Sequence, residues 1–216
     1  MKRIFALLMV LLTVPVAMAD TTILGLMPDN EYIHQYTAPN GQLLWFTAIE
    51  EDPHIKLEDV NFDGHEDVVS LVAMGASNFY AEFFVYNPTT DVYTLATHYD
   101  TDAGICNYQL YPELGIVESY ASNGNAGLLH VAKLYCWNGD NLQLIRSAVS
   151  DEWMEDSFEG STYTQVIHGD MLHVVVHDHT DRYEEPILWE AILPKAEAEY
   201  RDILTEEMTA LWQGLK

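Results

Sequence analysis

Basic residues are scarce in the sequence, with nine Lys and Arg against 34 Asp and Glu and a formal charge of −25 at pH 7. Nucleic-acid binding requires a basic surface that neutralises phosphates, so this composition argues against a nucleic-acid partner. The acidity does not indicate a disordered tail, because 49% of the 216 residues are hydrophobic and 12% are aromatic. We therefore expect a globular, acidic protein.

Long apolar runs are missing after the first nineteen residues. Residues 1–19 themselves have a basic start, an apolar run over residues 4–16 and a small-x-small cleavage site at residues 17–19, as a secretory signal peptide does. That run is short for a membrane span, and no Cys stands directly after the cleavage site to carry a lipid anchor. The sequence predicts one β-rich domain over residues 20–216, exported to the periplasm or secreted, with no membrane anchor.

Cysteine is equally scarce, since the chain contains only Cys106 and Cys136. An even pair of cysteines in an exported protein is more typical of a disulfide than of a metal site or a nucleophile. We expect the two to be joined, closing a loop of about thirty residues and stabilising the fold by roughly 3 to 4 kcal/mol.

Catalytic motifs are absent as well. The sequence has no G-x-S-x-G elbow, no P-loop and no G-x-G-x-x-G after a predicted strand. With 34 acidic residues, no carboxylate pair stands out as a glycosidase acid and base. We therefore expect no enzymatic activity, although triads and carboxylate pairs are recognised by geometry rather than by spacing.

What the chain does contain is a succession of short segments rich in aromatic and β-branched residues, separated by Asn, Asp, Gly and Pro. Strands are predicted over residues 43–49, 68–74, 79–86, 92–97, 128–137, 142–149, 162–168 and 171–177. Hairpin turns are expected at residues 87–91, 138–140 and 169–170. The fold class is therefore mainly β, an antiparallel meander that is β-propeller-like or, alternatively, a β-sandwich.

The end of the chain differs from this pattern. Pro194 opens and Gly214 closes a stretch whose apolar residues fall on one helical stripe. This predicts a C-terminal α-helix over residues 194–213 that packs on the β body, because its polar face is acidic rather than basic.

A weak internal repeat is visible in the β region. Ala76-Ser77-Asn78 and Ala121-Ser122-Asn123 each precede an aromatic hairpin, 45 residues apart. A period of this length is close to that of a propeller blade, yet one hairpin design used twice in a sandwich would look the same. Both interpretations stay open.

Residues 59–67, here named the acidic loop, carry the strongest chemical signal because they read D-x-N-x-D-G-x-x-D. Oxygen donors at loop positions 1, 3, 5, 7 and 9 form a cage for a hard cation such as Ca²⁺, and Gly64 allows the sharp turn. Position 12 is Ser70 in a strand-like segment, so the loop is not an EF-hand. The alternative is a plain acidic turn. The predicted ligands are the side chains of Asp59, Asn61, Asp63 and Asp67 and the carbonyl oxygen of His65.

Three histidines raise the question of a transition-metal site. His173, His177 and His179 would share one face of an extended strand, where residues two apart could reach one zinc ion. No H-E-x-x-H or C-x-x-C accompanies them, and the alternative is that the imidazoles are solvated or pair with carboxylates. Whether this cluster binds a metal stays open.

Further segments accompany the acidic loop and together carry a resemblance. They are Ala76-Ser77-Asn78, Phe84-Val85-Tyr86-Asn87, Ile116-Val117-Glu118-Ser119-Tyr120 and Lys133-Leu134-Tyr135-Cys136-Trp137. With the acidic loop, they resemble exported bacterial proteins that have a calcium loop and a β-propeller-like fold. Known representatives are periplasmic immunity proteins, which inhibit peptidoglycan hydrolases, including lysozyme-type enzymes, delivered by type IV secretion systems. The resemblance covers about residues 55–150, and its calcium motif is shared with many integrin-like and VCBS-type β repeats.

The resemblance implies that this protein is a lysozyme inhibitor or immunity protein, and the charge agrees, because a strongly acidic protein would be steered toward a basic hydrolase. The expected contact is the loop that includes Ser122, Asn123, Gly124 and Asn125, which has small residues able to approach a cleft. The alternative function is a calcium-stabilised carbohydrate- or protein-binding β module of adhesion or surface type.

Overall fold

The computed structural model describes residues 21–27, 31–49, 51–75, 77–96, 104–122, 130–159, 162–181 and 184–194. Within these ranges the chain forms antiparallel strands and no helix, which confirms the predicted mainly β class. The strands are β1 (Thr22–Leu26), β2 (Tyr32–Thr37), β3 (Leu43–Ala48), β4 (Ile55–Glu58), β5 (Asp67–Met74), β6 (Phe79–Asn87), β7 (Val92–Leu95), β8 (Ile105–Cys106), β9 (Gln109–Tyr111), β10 (Ile116–Ser122), β11 (His130–Asn138), β12 (Asn141–Glu159), β13 (Thr162–Asp178) and β14 (Ile187–Pro194).

The strands are arranged in three sheets. The first has the order β1-β2-β3, the second β4-β5-β6-β7 with β8 added against β6, and the third β14-β13-β12-β11-β10-β9. Neighbours in each sheet are mostly consecutive in the chain, so the topology is the expected meander. Because each connection is short, the sequence order largely dictates the order of strands within each sheet.

The second sheet lies between the other two and buries both of its faces. Val68 and Phe84 pack with residues of the first sheet, whereas Val69 and Phe83 pack with Val117 and other residues of the third. Successive residues of a strand point to opposite faces, so a sheet covered on both sides needs apolar residues at nearly every position. This explains why β5 and β6 read as almost continuous apolar runs.

Two predicted hairpin turns are confirmed and one is wrong. The β6–β7 turn spans residues 87–91, and β11 and β12 are joined through Gly139, whose φ of 62° is left-handed. Residues 162–168 and 171–177, predicted as two strands of a hairpin, instead belong to the single strand β13. Gly169 and Asp170 fall at an irregularity where the pairing with β12 shifts from Leu172 to His168. The pairing of residues 171–177 with β14 on the other edge keeps the strand continuous.

The finer fold predictions have different outcomes. Within the described ranges, the three sheets show neither a closed barrel nor a propeller. Pro194, predicted to begin the C-terminal helix, is the last residue of β14, and the rest of that helix lies outside the described residues, as does the predicted signal peptide. No described helix is long and apolar enough to cross a membrane.

The predicted disulfide is not present, because Cys106 and Cys136 are both free thiols in the structure. Cys106 lies in β8, which pairs with β6 of the second sheet, whereas Cys136 lies in β11 of the third sheet. The Cys136 side chain packs against a cluster formed within the third sheet by residues such as Leu134 and Ala148. The two thiols therefore belong to different sheets.

The two repeat segments contact each other. The Asn78 side-chain amide donates to the carbonyl of Ser122 over 2.9 Å, and its side-chain oxygen accepts from the Ser122 N–H over 3.0 Å. Asn107, whose φ of 40° is left-handed, donates from its side chain to the carbonyls of Ser77 and Tyr120 over 2.9 Å each. The two side-chain amides thus bond to backbone N–H and carbonyl groups, as a neighbouring strand would, and connect the second sheet to the third.

Candidate functional site

The acidic loop connects β4 to β5, and its two ends are held side by side. Glu58, the last residue of β4, pairs with Asp67, the first residue of β5. The loop therefore leads directly into a strand, as predicted, and Ser70 lies within β5 rather than in a helix. The loop is a tight connection between neighbouring strands with its ends fixed by the sheet.

Side-chain oxygens of the loop accept hydrogen bonds from its own backbone. The two carboxylate oxygens of Asp59 accept the N–H groups of Asp63 and Gly64 over 3.1 and 2.9 Å. Asn61 accepts the same Asp63 N–H over 3.1 Å, and Asp63 accepts the His65 N–H over 2.9 Å. The backbone thus coils around the oxygen-bearing side chains. Gly64 has a φ of 87°, which an L side chain rarely adopts, so glycine is required at this turn.

Asp67 is fully buried at the end of the loop and anchors it through hydrogen bonds. One of its carboxylate oxygens accepts the Val60 N–H over 2.9 Å, and the other accepts the Tyr86 N–H over 2.8 Å. Burial raises the pKa of Asp67 to about 6, although these backbone amides act in the opposite direction. The Asp67 carboxylate therefore closes the loop through its bond to Val60 and joins the loop to β6 through its bond to Tyr86.

The third sheet holds the loop from the other side. Val60 is completely buried in the cluster between the second and third sheets, and its carbonyl accepts the Trp137 indole N–H over 2.7 Å. The Tyr108 hydroxyl donates to Glu58 over 2.6 Å at the start of the loop. The pKa of Tyr108 is raised, mainly by burial and in addition by the Glu58 carboxylate. The loop is thus fixed at its base by groups from two sheets.

The donor set fits Ca²⁺ in its chemistry, because carboxylate, amide and carbonyl oxygens are the ligands that this hard cation prefers. The coil is also in place, since the amide hydrogen bonds of Asp59 and Asp63 set its shape. Across the described ranges, however, no three His, Cys, Asp or Glu side chains are grouped so that they could hold a metal ion. Each Asp67 oxygen has a lone pair beyond the one its amide bond uses, so the anchoring role does not exclude a ligand role. Calcium binding by Asp59, Asn61, Asp63, His65 and Asp67 stays a prediction.

The three histidines of the possible metal cluster each contact polar groups of the protein. His173 lies 2.7 Å from a carboxylate oxygen of Glu190, and His177 lies 3.3 Å from the Glu185 carbonyl. His179 contacts Ser147 on one ring nitrogen and Glu185 on the other. His173 and His179 therefore pair with carboxylates, as in the alternative to a metal site, whereas His177 contacts a backbone carbonyl.

The His179 contacts have the order of a nucleophile, a base and an acid. The Ser147 hydroxyl lies 2.8 Å from Nε2 of His179, and a Glu185 carboxylate oxygen lies 3.5 Å from Nδ1. Ser147 is buried in the middle of β12, between paired strands on both sides, rather than on an exposed turn. A serine nucleophile needs an accessible hydroxyl and nearby free N–H donors for the oxyanion. We interpret the group as a brace between β12 and the end of β13.

The predicted contact loop is only partly described. Ser122 is the last residue of β10, half-buried, with its N–H and carbonyl both bonded to Asn78. It therefore lies at the end of a strand, and its contact with a partner stays a prediction. Asn123, Gly124 and Asn125 lie outside the described residues.

The contacts that hold the site and the neighbouring sheets together were not predicted from the sequence. Trp137, Tyr86 and Asn78 lie far from the acidic loop in the chain, and their pairing depends on which sheets pack together. A usable signal exists for Asn107, since Asn tolerates a left-handed backbone better than most residues do. The other three lie in segments that the sequence singles out, but no local pattern gives their contacts.

Comparison with known proteins finds a similar solved structure. No family model matches the chain, and no curated protein matches its sequence. Among solved structures, a Xanthomonas type IV secretion system related protein is similar, with a TM-score of 0.46 and 13% sequence identity. The match covers 79% of this chain and 85% of that one.

Proposed function

We propose that this chain is an exported, calcium-stabilised β protein that binds and inhibits a basic peptidoglycan hydrolase of the lysozyme type. The observation that supports it most is the acidic loop, already coiled around its oxygen donors and anchored by Asp67 and Trp137. The sequence resemblance to periplasmic immunity proteins supplies the class of partner. The predicted signal peptide supplies the compartment, which is the periplasm.

Charge supports a basic partner. Only nine basic residues oppose 34 acidic ones, so the field of the whole protein attracts a cationic surface from a distance. Such long-range attraction acts mainly on the association rate and is screened by salt. The inhibitor would therefore find its target quickly at low ionic strength and hold it through short-range contacts.

In this proposal Ca²⁺ has a structural role. The side chains of Asp59, Asn61, Asp63 and Asp67 and the carbonyl of His65 would hold it, and when bound it neutralises carboxylates that otherwise repel one another. The chain's own contribution is to keep those oxygens on one coil through the amide bonds of Asp63, Gly64 and His65. A rigid loop loses less entropy on binding a partner than a mobile one does.

Inhibition can be tested by the turbidity of a cell-wall suspension. The protein would be added to a panel of lysozyme-type hydrolases, including any encoded beside it, in calcium and in chelator at low and high salt. We expect loss of lysis for at least one basic hydrolase, with association slowed far more than dissociation by salt. Failure to inhibit every hydrolase would reject the proposal, whereas inhibition unaffected by salt would remove only the electrostatic part.

A second candidate function is a carbohydrate-binding β module, and Trp45 favours it. Its side chain is 60% exposed in the middle of β3, and Leu43 on the same face is 51% exposed. Gln35 in β2 is paired with Trp45 across the strands and carries a side-chain amide. An exposed aromatic ring beside an amide suits stacking and hydrogen bonding with a sugar. This function would be favoured if the wild type is retained on insoluble peptidoglycan, Trp45→Ala is not retained, and no hydrolase is inhibited.

A further inference from the structure

A surface pocket of about 380 Å³ lies beside the acidic loop. The β2–β3 turn contributes Pro39 and Asn40, the acidic loop contributes residues 64–66, and the β6–β7 hairpin contributes Tyr86 and Tyr93. The pocket therefore lies where the first sheet, the second sheet and the acidic loop meet. Its volume is at the lower end of the range of about 300 to 1,000 Å³ that is typical of small-ligand sites.

Two tyrosines supply the aromatic surface of the pocket. Tyr86 and Tyr93 are directly opposite each other in β6 and β7, and their ring centroids lie 4.8 Å apart. The His65 ring meets Tyr86 edge to face, with the centroids 5.9 Å apart. Tyr93 is buried and Tyr86 is half-buried, so one ring supports the other. The ring contacts therefore fix the positions of these aromatic side chains without a ligand.

Several hydrogen-bond donors of the pocket wall are already used within the protein. The Tyr86 hydroxyl donates to the Asp91 carboxylate over 2.9 Å, and the Asn40 side-chain amide donates to the Asp91 carbonyl over 2.7 Å. The N–H groups of Gly64 and His65 point to carboxylates inside the acidic loop. The acidic groups at the pocket are the exposed lining residue Glu66 and, directly beside the wall, Asp91, which is bonded to the lining residues Tyr86 and Asn40.

The wall is also rigid across its two sides. The Gln42 side chain donates to the Tyr93 carbonyl over 2.8 Å and accepts the Tyr93 N–H over 2.7 Å, which mimics a pair of strand hydrogen bonds. This clamp joins the β2–β3 turn to the β6–β7 hairpin. A site fixed in this way keeps its shape without a ligand and pays little ordering entropy on binding.

An acceptor-rich, donor-poor aromatic pocket suits one kind of side chain best. A guanidinium group has five N–H donors and no acceptor, stays charged, stacks on aromatic rings and pairs with carboxylates. The described lining residues include no Lys or Arg that would compete with it. We infer that this pocket binds an arginine side chain on the surface of the partner hydrolase, an inference that rests on the proposed function and names its contact.

The pocket can be tested on the isolated protein by NMR. ¹⁵N-labelled protein in calcium buffer would be titrated with N-acetyl-arginine methylamide and, in parallel, with its neutral isostere N-acetyl-citrulline methylamide. We expect saturable shifts of the amide signals of Asn40, His65, Tyr86 and Tyr93 with the arginine probe, and binding about tenfold weaker with the citrulline probe. Equal binding of the two probes, or shifts elsewhere only, would overturn the inference.

Variants separate charge from shape. Asp91 has a left-handed φ of 56°, which Asn tolerates, so Asp91→Asn keeps the backbone and removes the charge. It should weaken the arginine probe about tenfold, and Glu66→Gln, on an exposed side chain, provides a second variant if Asp91→Asn fails to fold. Asp156→Asn, on a distant exposed strand position, is the matched control and should bind as the wild type does. Wild-type affinity in both pocket variants would contradict the inference.

The outcomes for the pocket and for the proposed function are distinguishable. If the protein inhibits a hydrolase but the arginine probe does not bind, the pocket inference is wrong and the proposed function stands. If the arginine probe binds selectively and no hydrolase is inhibited, the pocket is a cation site and the proposed function is wrong. If both hold, Asp91→Asn should also weaken inhibition about tenfold, by the same loss of the charged pair.

Discussion

The surroundings of the acidic loop and the far end of the β12–β13 hairpin are stabilised in opposite ways. Around the loop, single side chains bond to the backbone of other segments, as Asp67 does to Val60 and Tyr86 and as Trp137 does to Val60. Among the described residues, the pairing of β12 with β11 ends at Ser150, and beyond it β12 pairs with β13. Three of the described side chains there, those of Met154, Asp156 and Gln165, are exposed.

The difference shows that strand content alone does not tell which region is firmly held. A two-stranded ribbon in water is marginally stable, whereas buried side-chain bonds between sheets resist local opening. A binding surface benefits from the second kind of support, because its geometry must persist without the ligand. The acidic loop and its pocket therefore have the structural support that the hairpin end lacks.

The largest expected effect is that of Asp67→Ala. This change leaves the buried Val60 N–H and the half-buried Tyr86 N–H without an acceptor, so we expect a loss of roughly 3 to 4 kcal/mol in the free energy of unfolding. Urea denaturation in the presence of chelator measures it without any metal contribution. Asp156→Ala at the hairpin end is the control and should change stability by about 0.5 kcal/mol or less. Similar losses for the two variants would remove the contrast between the regions.

Trp137→Phe should have a smaller effect. The ring volume is mostly kept, but the bond to the buried Val60 carbonyl is lost, so we expect a cost of about 1 to 2 kcal/mol. Trp45→Phe is matched in chemistry and sits on an exposed position, so it should be almost neutral. Thermal melts of both variants compare them directly, and an equal shift for the two would show that the Trp137 indole does not hold the loop.

Ser147→Ala sharpens the interpretation of the His179 contacts. If the group is a brace, the variant should lose about 1 kcal/mol of stability. Hydrolase inhibition should stay at the wild-type level, and neither protein should react with a fluorophosphonate probe for serine nucleophiles. Labelling of the wild type that disappears in the variant would instead identify a reactive serine.

The smallest expected effect concerns the thiols. Cys106 and Cys136 are unbonded, and burial raises the pKa of both thiols, so they should react slowly in the folded protein. After denaturation without reductant, two thiols per chain should be labelled, and reductant should leave the melting temperature unchanged. A count of zero thiols in periplasmic material would restore the disulfide predicted from the sequence.

The strands with clear local patterns were predictable, and the contacts between sheets were not. Alternating or continuous apolar runs identified β3, β5, β6 and β7 to within two residues, because one strand's pattern reflects its own burial. Gly169 and Asp170 are typical turn residues, so a turn was predicted there. The strand continues instead, because β14 pairs with residues 171–177. Such long-range pairing leaves no trace in a local pattern.

The same distinction applies to the candidate site. The acidic loop was found from its own spacing, and its passage into β5 is confirmed. The pairs that shape its surroundings, Asn40 with Asp91 and Gln42 with Tyr93, are each separated by 51 residues. The predicted disulfide is not present in the structure, where the free Cys106 lies in the second sheet and Cys136 packs within the third, a placement that local sequence does not reveal.

Calcium titration calorimetry of the wild type and of Asp63→Ala tests the central claim most directly, which is that the acidic loop is a calcium site that organises this part of the fold. We expect one Ca²⁺ per wild-type chain and none in the variant. At a hundredfold excess over its Kd the ion should add about 2.7 kcal/mol of stability, raising the melting temperature by roughly 5 to 10 °C in the wild type alone. The absence of both heat and a melting shift in the wild type would contradict the claim, as would an unchanged calcium response in Asp63→Ala.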